Sequence, residues 1–191
     1  EWRNLKRTLH GKNGASADEA RKECLRRTLR GAGIPADDGF LSAFFDQIKR
    51  KKAEHAVWFP DVKETLEELS RKGYRLAIIS NGRRDTLDAA LKKAKLSDLF
   101  PEEHRFTSGD KGVRRKPDSE IYHRAVSRMN VEYAKSIMVG NSWRNDIDGA
   151  AKAGIDAIWI NPNGQKNISR KSIGKQKVMV VGAFSQLRQL F

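Results

Sequence analysis

Hydrophobic and polar positions along this chain follow two patterns, one typical of helices and one typical of buried strands. Residues 75–80, 136–140 and 156–160 are short, continuous apolar runs. Runs of this length are typical of strands that are buried on both faces of a parallel sheet. Between them, apolar residues recur every three or four positions, which predicts helices. Strands and helices in alternation predict an α/β fold with a doubly wound, Rossmann-like parallel sheet.

The same pattern gives the extent of each element in the second part of the chain. The predicted strands are 75–80, 104–108, 136–140, 156–160 and 177–181. The predicted helices are 60–73, 84–96, 118–130, 146–153 and 183–190. The polar and basic stretch 163–176 lacks either period, and we predict a mobile loop there.

The first part of the chain has helical periodicity alone. Apolar residues recur at helical spacing in 16–33 and again in 37–55, and the short apolar stretch 56–59 is the one candidate strand. We therefore predict two domains. A small, all-helical domain covers residues 1–57, and an α/β core domain covers residues 58–191.

Charge and composition narrow the class of protein. Lysine and arginine outnumber aspartate and glutamate by 38 to 24, and this excess lies mainly towards the two ends of the sequence. The distribution favours a solvated basic surface over a nucleic-acid footprint, although nucleic acid stays open as a partner. No apolar run approaches the roughly 20 residues of a membrane span. A single cysteine and a start without an apolar leader suit a reducing compartment, so we expect a cytoplasmic protein.

Candidate anion-binding groups follow the first strand of the core. Ser80, Asn81 and Gly82 come directly after strand 75–80. A hydroxyl group and backbone N–H groups at such a point can bind phosphate, although Asn-Gly is also a common turn dipeptide. Lys116 stands before Pro117 and the next predicted helix, which places one positive charge at a defined point near the same edge of the sheet, although it can also be an ordinary surface lysine.

Candidate metal ligands follow the strand 136–140. Asn141 and Asp146 offer an amide oxygen and a carboxylate, which suit a hard cation such as Mg²⁺. From the residues alone, the loop can be a metal site, a damaged metal site or only a helix cap. Asp148 is expected to point to solvent.

Three segments occur in the order LAIISNG, RRKPDSEIY and MVGNSWRNDIDGAAKAGI. Together they resemble the haloacid dehalogenase superfamily, and within it the phosphatases that carry a helical cap. The resemblance implies that residues 1–57 are most of the cap. It implies that the Ser80 hydroxyl and the Asn81 backbone bind the phosphoryl group that is transferred. It also implies that Lys116 bridges this phosphate and a nucleophilic carboxylate. Asp146 would help to hold Mg²⁺. The family usually carries an aspartate at the position of Asn141, and an amide carries no charge, so we expect a weak metal site in which Asp146 is the principal ligand.

The implied function is a Mg²⁺-dependent phosphatase that acts on a small phosphorylated metabolite through an aspartyl-phosphate. In the family the nucleophile is the first aspartate of a D-x-D-x-T/V run after the first strand, and these 191 residues contain no such run. We therefore expect no turnover by this chain alone.

We expect roughly 20–30 further residues upstream, which would include a strand of about 5–6 residues. That strand would lie between 75–80 and 136–140, so we expect an open slot there or a strand borrowed from elsewhere. We also expect Lys116→Ala to abolish activity in a complete protein and to leave the fold intact.

Two alternatives stay open. The 2-haloacid dehalogenases share the serine loop and the lysine but need no metal, and they carry Asn-x-Trp-Asp in the last loop. Here Arg144 and Asn145 separate Trp143 from Asp146, which disfavours this reading. The other alternative is a catalytically inactive relative that uses its basic ends as a binding module.

Overall fold

The computed structural model describes residues 17–54, 60–110, 112–164 and 167–191. The chain divides into two compact units, Glu1–Val57 and Trp58–Phe191. Within the described residues, every helix is too short or too polar to cross a bilayer.

The described part of the first unit consists of two helices, α1 (Ala17–Gly31) and α2 (Asp38–Glu54). Cys24 on α1 and Leu41 on α2 are buried, and an ion pair between Arg26 and Asp38 joins the two helices. Both helices lie where helical spacing of apolar residues predicts them. The candidate strand at 56–59 lies outside the described residues.

The second unit alternates strands and helices. Its strands are β1 (Ile78–Ser80), β2 (Arg105–Thr107), β3 (Ile137–Gly140), β4 (Asp156–Ile160), β5 (Ser169–Ile173) and β6 (Gln176–Val181). Its α-helices are α3 (Pro60–Arg71), α4 (Arg84–Ala94), α5 (Glu120–Met129) and α6 (Gly149–Lys152). A π-helical turn, Trp143–Asp148, precedes α6, and short 3-10 helices cover Ser97–Leu99, Glu102–His104, Tyr133–Lys135 and Phe184–Gln189.

The strands form two separate sheets. β1 pairs with β2 in parallel, while the other sheet has the order β3-β4-β6-β5. β3, β4 and β6 run parallel, and β5 is antiparallel to β6. The predicted α/β class with parallel strands is therefore confirmed.

One element of the prediction is wrong. Residues 169–173, expected in a loop, form the edge strand β5, which turns into β6 through Gly174 at a φ of 58°. Its side chains are mostly solvent-exposed, so its sequence carries no apolar pattern. The predicted last helix is present as a 3-10 helix, Phe184–Gln189.

The two sheets leave a gap between β1 and β3. In the part of the chain that the structure describes, these strands are not hydrogen-bonded to each other. No residue of either strand is buried, and Ile137 is 47% exposed. The expectation that both strands are buried on both faces is thus wrong for this chain, because the described residues place no strand between them. The expectation that they are not paired directly is confirmed.

Helix α5 packs across this gap. Its buried residues Ile121 and Tyr122 belong to a core cluster against which Ile79 of β1 and Met138 of β3 also pack. On the other side, Leu66 of α3 and Leu91 of α4 form a second cluster that includes the partly buried Ile78. Because Ile78 and Ile79 point to opposite faces of β1, helices cover both faces of the sheet. The end of β1 and the loop after β3 lie close together, because one side chain, that of Lys116, contacts both Ile79 and Asp146.

Candidate active site

Lys116 reaches the gap between the sheets. Its Nζ atom donates to the carbonyl oxygen of Ile79 at 2.7 Å and to Oδ1 of Asp146 at 2.6 Å. The Ser80 carbonyl accepts a hydrogen bond from the backbone of Ser108 just beyond β2, so the preceding Ile79 carbonyl points away from β2. An ammonium group has three donors. Two of them have acceptors among the described residues, so a third can serve a group that enters the gap.

The Asn81 side chain holds the backbone of Lys116. Its Oδ1 accepts from the Lys116 N–H at 2.7 Å, and its Nδ2 donates to the Lys116 carbonyl at 3.0 Å. The carbonyl of Asn81 in turn accepts from the hydroxyl of Ser108 at 3.0 Å. The sequence resemblance implied only a backbone role for Asn81, and this role of its amide was missed because its partner lies 35 residues away.

Ser80 and Gly82 form a tight turn at the end of β1. The Gly82 N–H donates to Oγ of Ser80 at 3.0 Å, and a Cβ atom at Gly82 would lie 3.2 Å from that oxygen. The Gly82 N–H, predicted to face a phosphate, is therefore already engaged. The Ser80 hydroxyl accepts this bond and keeps its own proton, so it can still donate to an anion.

Asp146 is held from two sides. Its Oδ2 accepts from the backbone N–H of Ser142 at 2.9 Å, while Oδ1 accepts from Lys116. The residue is 5% exposed. Gly140 lies against it so closely that an added Cβ atom would stand 2.4 Å from Cβ of Asp146. Gly140 thus permits the close approach that brings the carboxylate to the end of β3. Asp148 instead pairs with Lys152 at 2.8 Å.

Asn141 lies at the exposed rim of this site. Its backbone carbonyl accepts from Nε1 of Trp159 at 3.1 Å, and its side chain is exposed. The ring of Trp159 meets that of Trp143 edge to face at 4.9 Å, and Nζ of Lys171 lies 5.6 Å from both rings. The tryptophan pair therefore connects the loop after β3 to the edge strand β5.

Tyr122 is a further residue of the site that the sequence analysis quoted only as part of a motif. It is fully buried, and its hydroxyl donates to the carbonyl of Asn145, within the same loop as Asp146. Burial raises the pKa of Tyr122 well above its usual value, and the nearby charges of Asp146 and Asp148 raise it further. The hydroxyl therefore stays protonated and remains a hydrogen-bond donor.

A second polar network supports the loops after β1 and β2. Asp110 accepts from Nη2 of Arg84 at 2.7 Å, and from the N–H and hydroxyl of the buried Thr107 at 3.0 and 2.8 Å. Burial opposes ionisation of Asp110, but Arg84 and the two Thr107 donors outweigh it and lower the pKa of Asp110. This network fixes the start of α4 directly after the Ser80 turn.

Two groups in the loop after β3 are of the chemical types that Mg²⁺ binds. Mg²⁺ is usually bound by one or two carboxylates together with phosphate oxygens and water. Asp146 is a carboxylate of this kind, and the exposed amide of Asn141 is on the same loop. Lys116 already neutralises Asp146, which weakens its attraction for a cation. Among the described residues, no group of three or more His, Cys, Asp or Glu side chains could hold a metal ion.

A family model for haloacid dehalogenase-like hydrolases matches residues 16–160. The chain belongs to this family. The match includes β1 to β4 and therefore the serine turn, the lysine and the loop that carries Asp146. The antiparallel strand β5 and its partner β6 lie beyond the matched residues.

Both phosphatases and dehalogenases are among the similar proteins. The chain is 35% identical over 134 residues to glyceraldehyde 3-phosphate phosphatase of Methanothermobacter thermautotrophicus, which covers 69% of this chain and 58% of that protein. It is 33% identical over 147 residues to (S)-2-haloacid dehalogenase of a Pseudomonas species, covering 76% and 59%. It thus spans under two thirds of either relative. The structure of a HAD phosphatase from Thermococcus onnurineus matches at a TM-score of 0.64 and 28% identity, covering 99% of this chain and 85% of that one.

Proposed function

We propose that this chain forms the larger part of a phosphomonoester hydrolase that acts on a small phosphorylated metabolite. The observation that carries the proposal is the position of Lys116, whose Nζ atom binds the Ile79 carbonyl and Asp146 at the gap between β1 and β3, close to the turn that carries the Ser80 hydroxyl. A cation and a hydroxyl donor at the end of a parallel strand suit a phosphoryl group. The similarity to phosphatases supports the same substrate class.

In this proposal each residue has a defined task. The Ser80 hydroxyl donates to an oxygen of the phosphoryl group. Lys116 holds that group against an aspartate carboxylate, which attacks phosphorus while the bond to the leaving alcohol breaks. Mg²⁺, held by Asp146 and Asn141, would supply charge neutralisation when bound. Tyr122 keeps the loop of Asp146 in position through its hydrogen bond to the Asn145 carbonyl.

The nucleophilic aspartate would come from a strand that occupies the gap. The two sheets leave β1 and β3 unpaired with each other, and the hydrophobic side chains of both strands are only partly covered. A strand between them would satisfy backbone groups on both edges and bury these side chains. Its carboxyl end would meet Lys116. We further propose that residues 1–57 belong to the helical cap domain that the family resemblance implies.

A 2-haloacid dehalogenase is the second candidate. In favour of it, both oxygens of Asp146 accept hydrogen bonds from protein donors, Lys116 and Ser142, and a haloacid dehalogenase is among the similar proteins. Such an enzyme would use the same lysine to bind the carboxylate of a small halogenated acid.

Binding of inorganic phosphate to the chain itself tests the first proposal. Titration followed by ³¹P NMR should detect binding to the parent, and Ser80→Ala and Lys116→Met should abolish it. Lys135→Met is the matched control, because Lys135 is a surface lysine with a 73% exposed side chain. Binding that survives Lys116→Met, or is lost equally in Lys135→Met, overturns the proposal.

Turnover then separates the two enzymes. The chain is joined to an N-terminal strand that ends in aspartate and is assayed with phosphomonoesters and with 2-chloropropionate. Phosphate release that depends on Mg²⁺ supports the phosphatase, and chloride release without metal supports the dehalogenase. Phosphate binding with no turnover of either substrate would instead support an inactive binding module.

A further inference from the structure

We infer that Asn81 is the positioning residue for Lys116. Its side chain fixes the lysine backbone and thereby aims the ammonium group at the gap between the sheets. The catalytic meaning of this role rests on the proposed function, but the positioning itself is a property of the folded chain. In the proposed function the serine before Asn81 has the direct role, since its hydroxyl donates to the phosphoryl group.

The side-chain amide of Asn81 binds both backbone polar groups of Lys116. The Lys116 N–H donates to Oδ1 of Asn81 at 2.7 Å, and Nδ2 donates to the Lys116 carbonyl at 3.0 Å. This pairing needs one acceptor and one donor in a fixed plane, which asparagine supplies. Ionised aspartate would keep the acceptor and lose the donor, and alanine would lose both.

The end of β1 anchors Lys116 at both ends of its side chain. Asn81 holds the backbone, and the carbonyl of Ile79, two residues earlier, accepts from Nζ at 2.7 Å. Asn81 is itself fixed, because its carbonyl accepts from the Ser108 hydroxyl at 3.0 Å. The lysine therefore bridges two points of one rigid strand end. Its side chain therefore loses little conformational entropy when a ligand binds. Such preorganisation is what electrostatic stabilisation of a reacting group requires.

The burial of Lys116 is consistent with this arrangement. Its side chain is 10% exposed, whereas those of other lysines in the same unit, such as Lys135 and Lys152, are 73% and 60% exposed. A backbone shift at residue 116 would move the ammonium away from both acceptors at once. Removal of the Asn81 side chain should therefore change the reactivity of the Lys116 Nζ atom, although Asn81 binds the backbone of Lys116 and not that atom.

Competitive acetylation of the folded chain with trace acetic anhydride, followed by mass spectrometry of each lysine, tests the inference. In the parent, Lys116 should react more slowly than the exposed Lys135 and Lys152. Asn81→Ala should raise its reactivity by about tenfold, the size expected when one or two hydrogen bonds are lost. Asn81→Asp, which keeps the acceptor, should give an intermediate increase. The control Asn163→Ala alters an exposed turn residue and should change nothing.

The exposed reference lysines correct for the dose of reagent, and circular dichroism with urea unfolding shows whether each variant is folded. A rise at Lys116 in a variant that stays folded supports the inference. Unchanged reactivity of Lys116 in folded Asn81→Ala, or an equal rise at every lysine, overturns it. The measurement needs no turnover. A failure of the proposed function would appear in the phosphate titration and would leave the labelling pattern unaffected.

Discussion

Lys116 and Asp146 lie 30 residues apart in the sequence and form an ion pair of 2.6 Å in which their side chains are only 10% and 7% exposed. This burial changes the expectation that Lys116 can be removed without harm to the fold. Removing one partner of a buried pair leaves the other charge unpaired and desolvated. The usual cost is about 3–5 kcal/mol.

The pair should therefore respond to single and double substitution in different ways. We expect Lys116→Met to lower the free energy of unfolding by about 3–5 kcal/mol, and Lys116→Met combined with Asp146→Asn to recover most of that loss. Urea unfolding at neutral pH measures both. Lys135→Met, which removes an exposed ion pair with Glu132, should cost less than about 1 kcal/mol. A loss in Lys116→Met no larger than in Lys135→Met would contradict the prediction.

Gly140→Ala should disturb the site directly. The new Cβ atom would stand 2.4–2.6 Å from three atoms of Asp146, so the carboxylate or the end of β3 has to move. We expect a destabilisation of about 1–3 kcal/mol or more, together with weaker phosphate binding. Gly31→Ala is the matched control, because a Cβ atom there meets nothing within 4 Å. Equal stability of the two variants would count against the close approach.

Acid should weaken the network around Asp110. Its pKa in the folded chain lies below the ordinary value, so its ionised form stabilises the fold above the unfolded-state pKa. This contribution is lost as the pH falls through the folded-state pKa. The difference in free energy of unfolding between the parent and Asp110→Asn should therefore be largest near neutral pH and shrink below about pH 4. Urea unfolding across this pH range checks it, and a constant difference would contradict it.

Mg²⁺ binding, in the proposed phosphatase, should depend on Asp146 more than on Asn141. A carboxylate attracts the ion strongly, whereas an amide attracts it weakly. Calorimetric titration with Mg²⁺ in the presence of inorganic phosphate should detect a larger loss of affinity in Asp146→Asn than in Asn141→Ala. Circular dichroism of each variant controls for folding. Equal losses, or no binding by the parent, would refute this ranking.

Much of the fold could be predicted because its signals are local. The apolar runs at 136–140 and 156–160 correspond to β3 and β4 within a residue, and the helical spacing after Arg83 corresponds to α4. β5 was missed for a physical reason. An edge strand with exposed Ser, Arg and Lys side chains is stabilised by its hydrogen bonds to β6, and such bonds leave no periodic pattern in the sequence.

The candidate site was predicted in its parts but not in its connections. The order of the serine turn, the lysine and the acidic loop indicated the family, and the family match agrees. The sequence did not indicate that Lys116 is buried, since one lysine among 38 Lys and Arg residues has no distinguishing local feature. Nor did it indicate that the hydroxyl of Tyr122 holds the loop of Asp146.

The sequence by itself determined the class of fold, the family and the identity of the groups that carry charge and hydroxyl. These features follow from the periodicity of apolar residues and from the order of short motifs, both of which are properties of the sequence. Tertiary structure alone decided which of those groups meet. Asn81 holds Lys116 across 35 residues, and Lys116 meets Asp146 across 30, because the ends of separate strands come together at one edge. Such contacts depend on how strands pair and helices pack, and the same pairing leaves the gap between β1 and β3 at which Lys116 points.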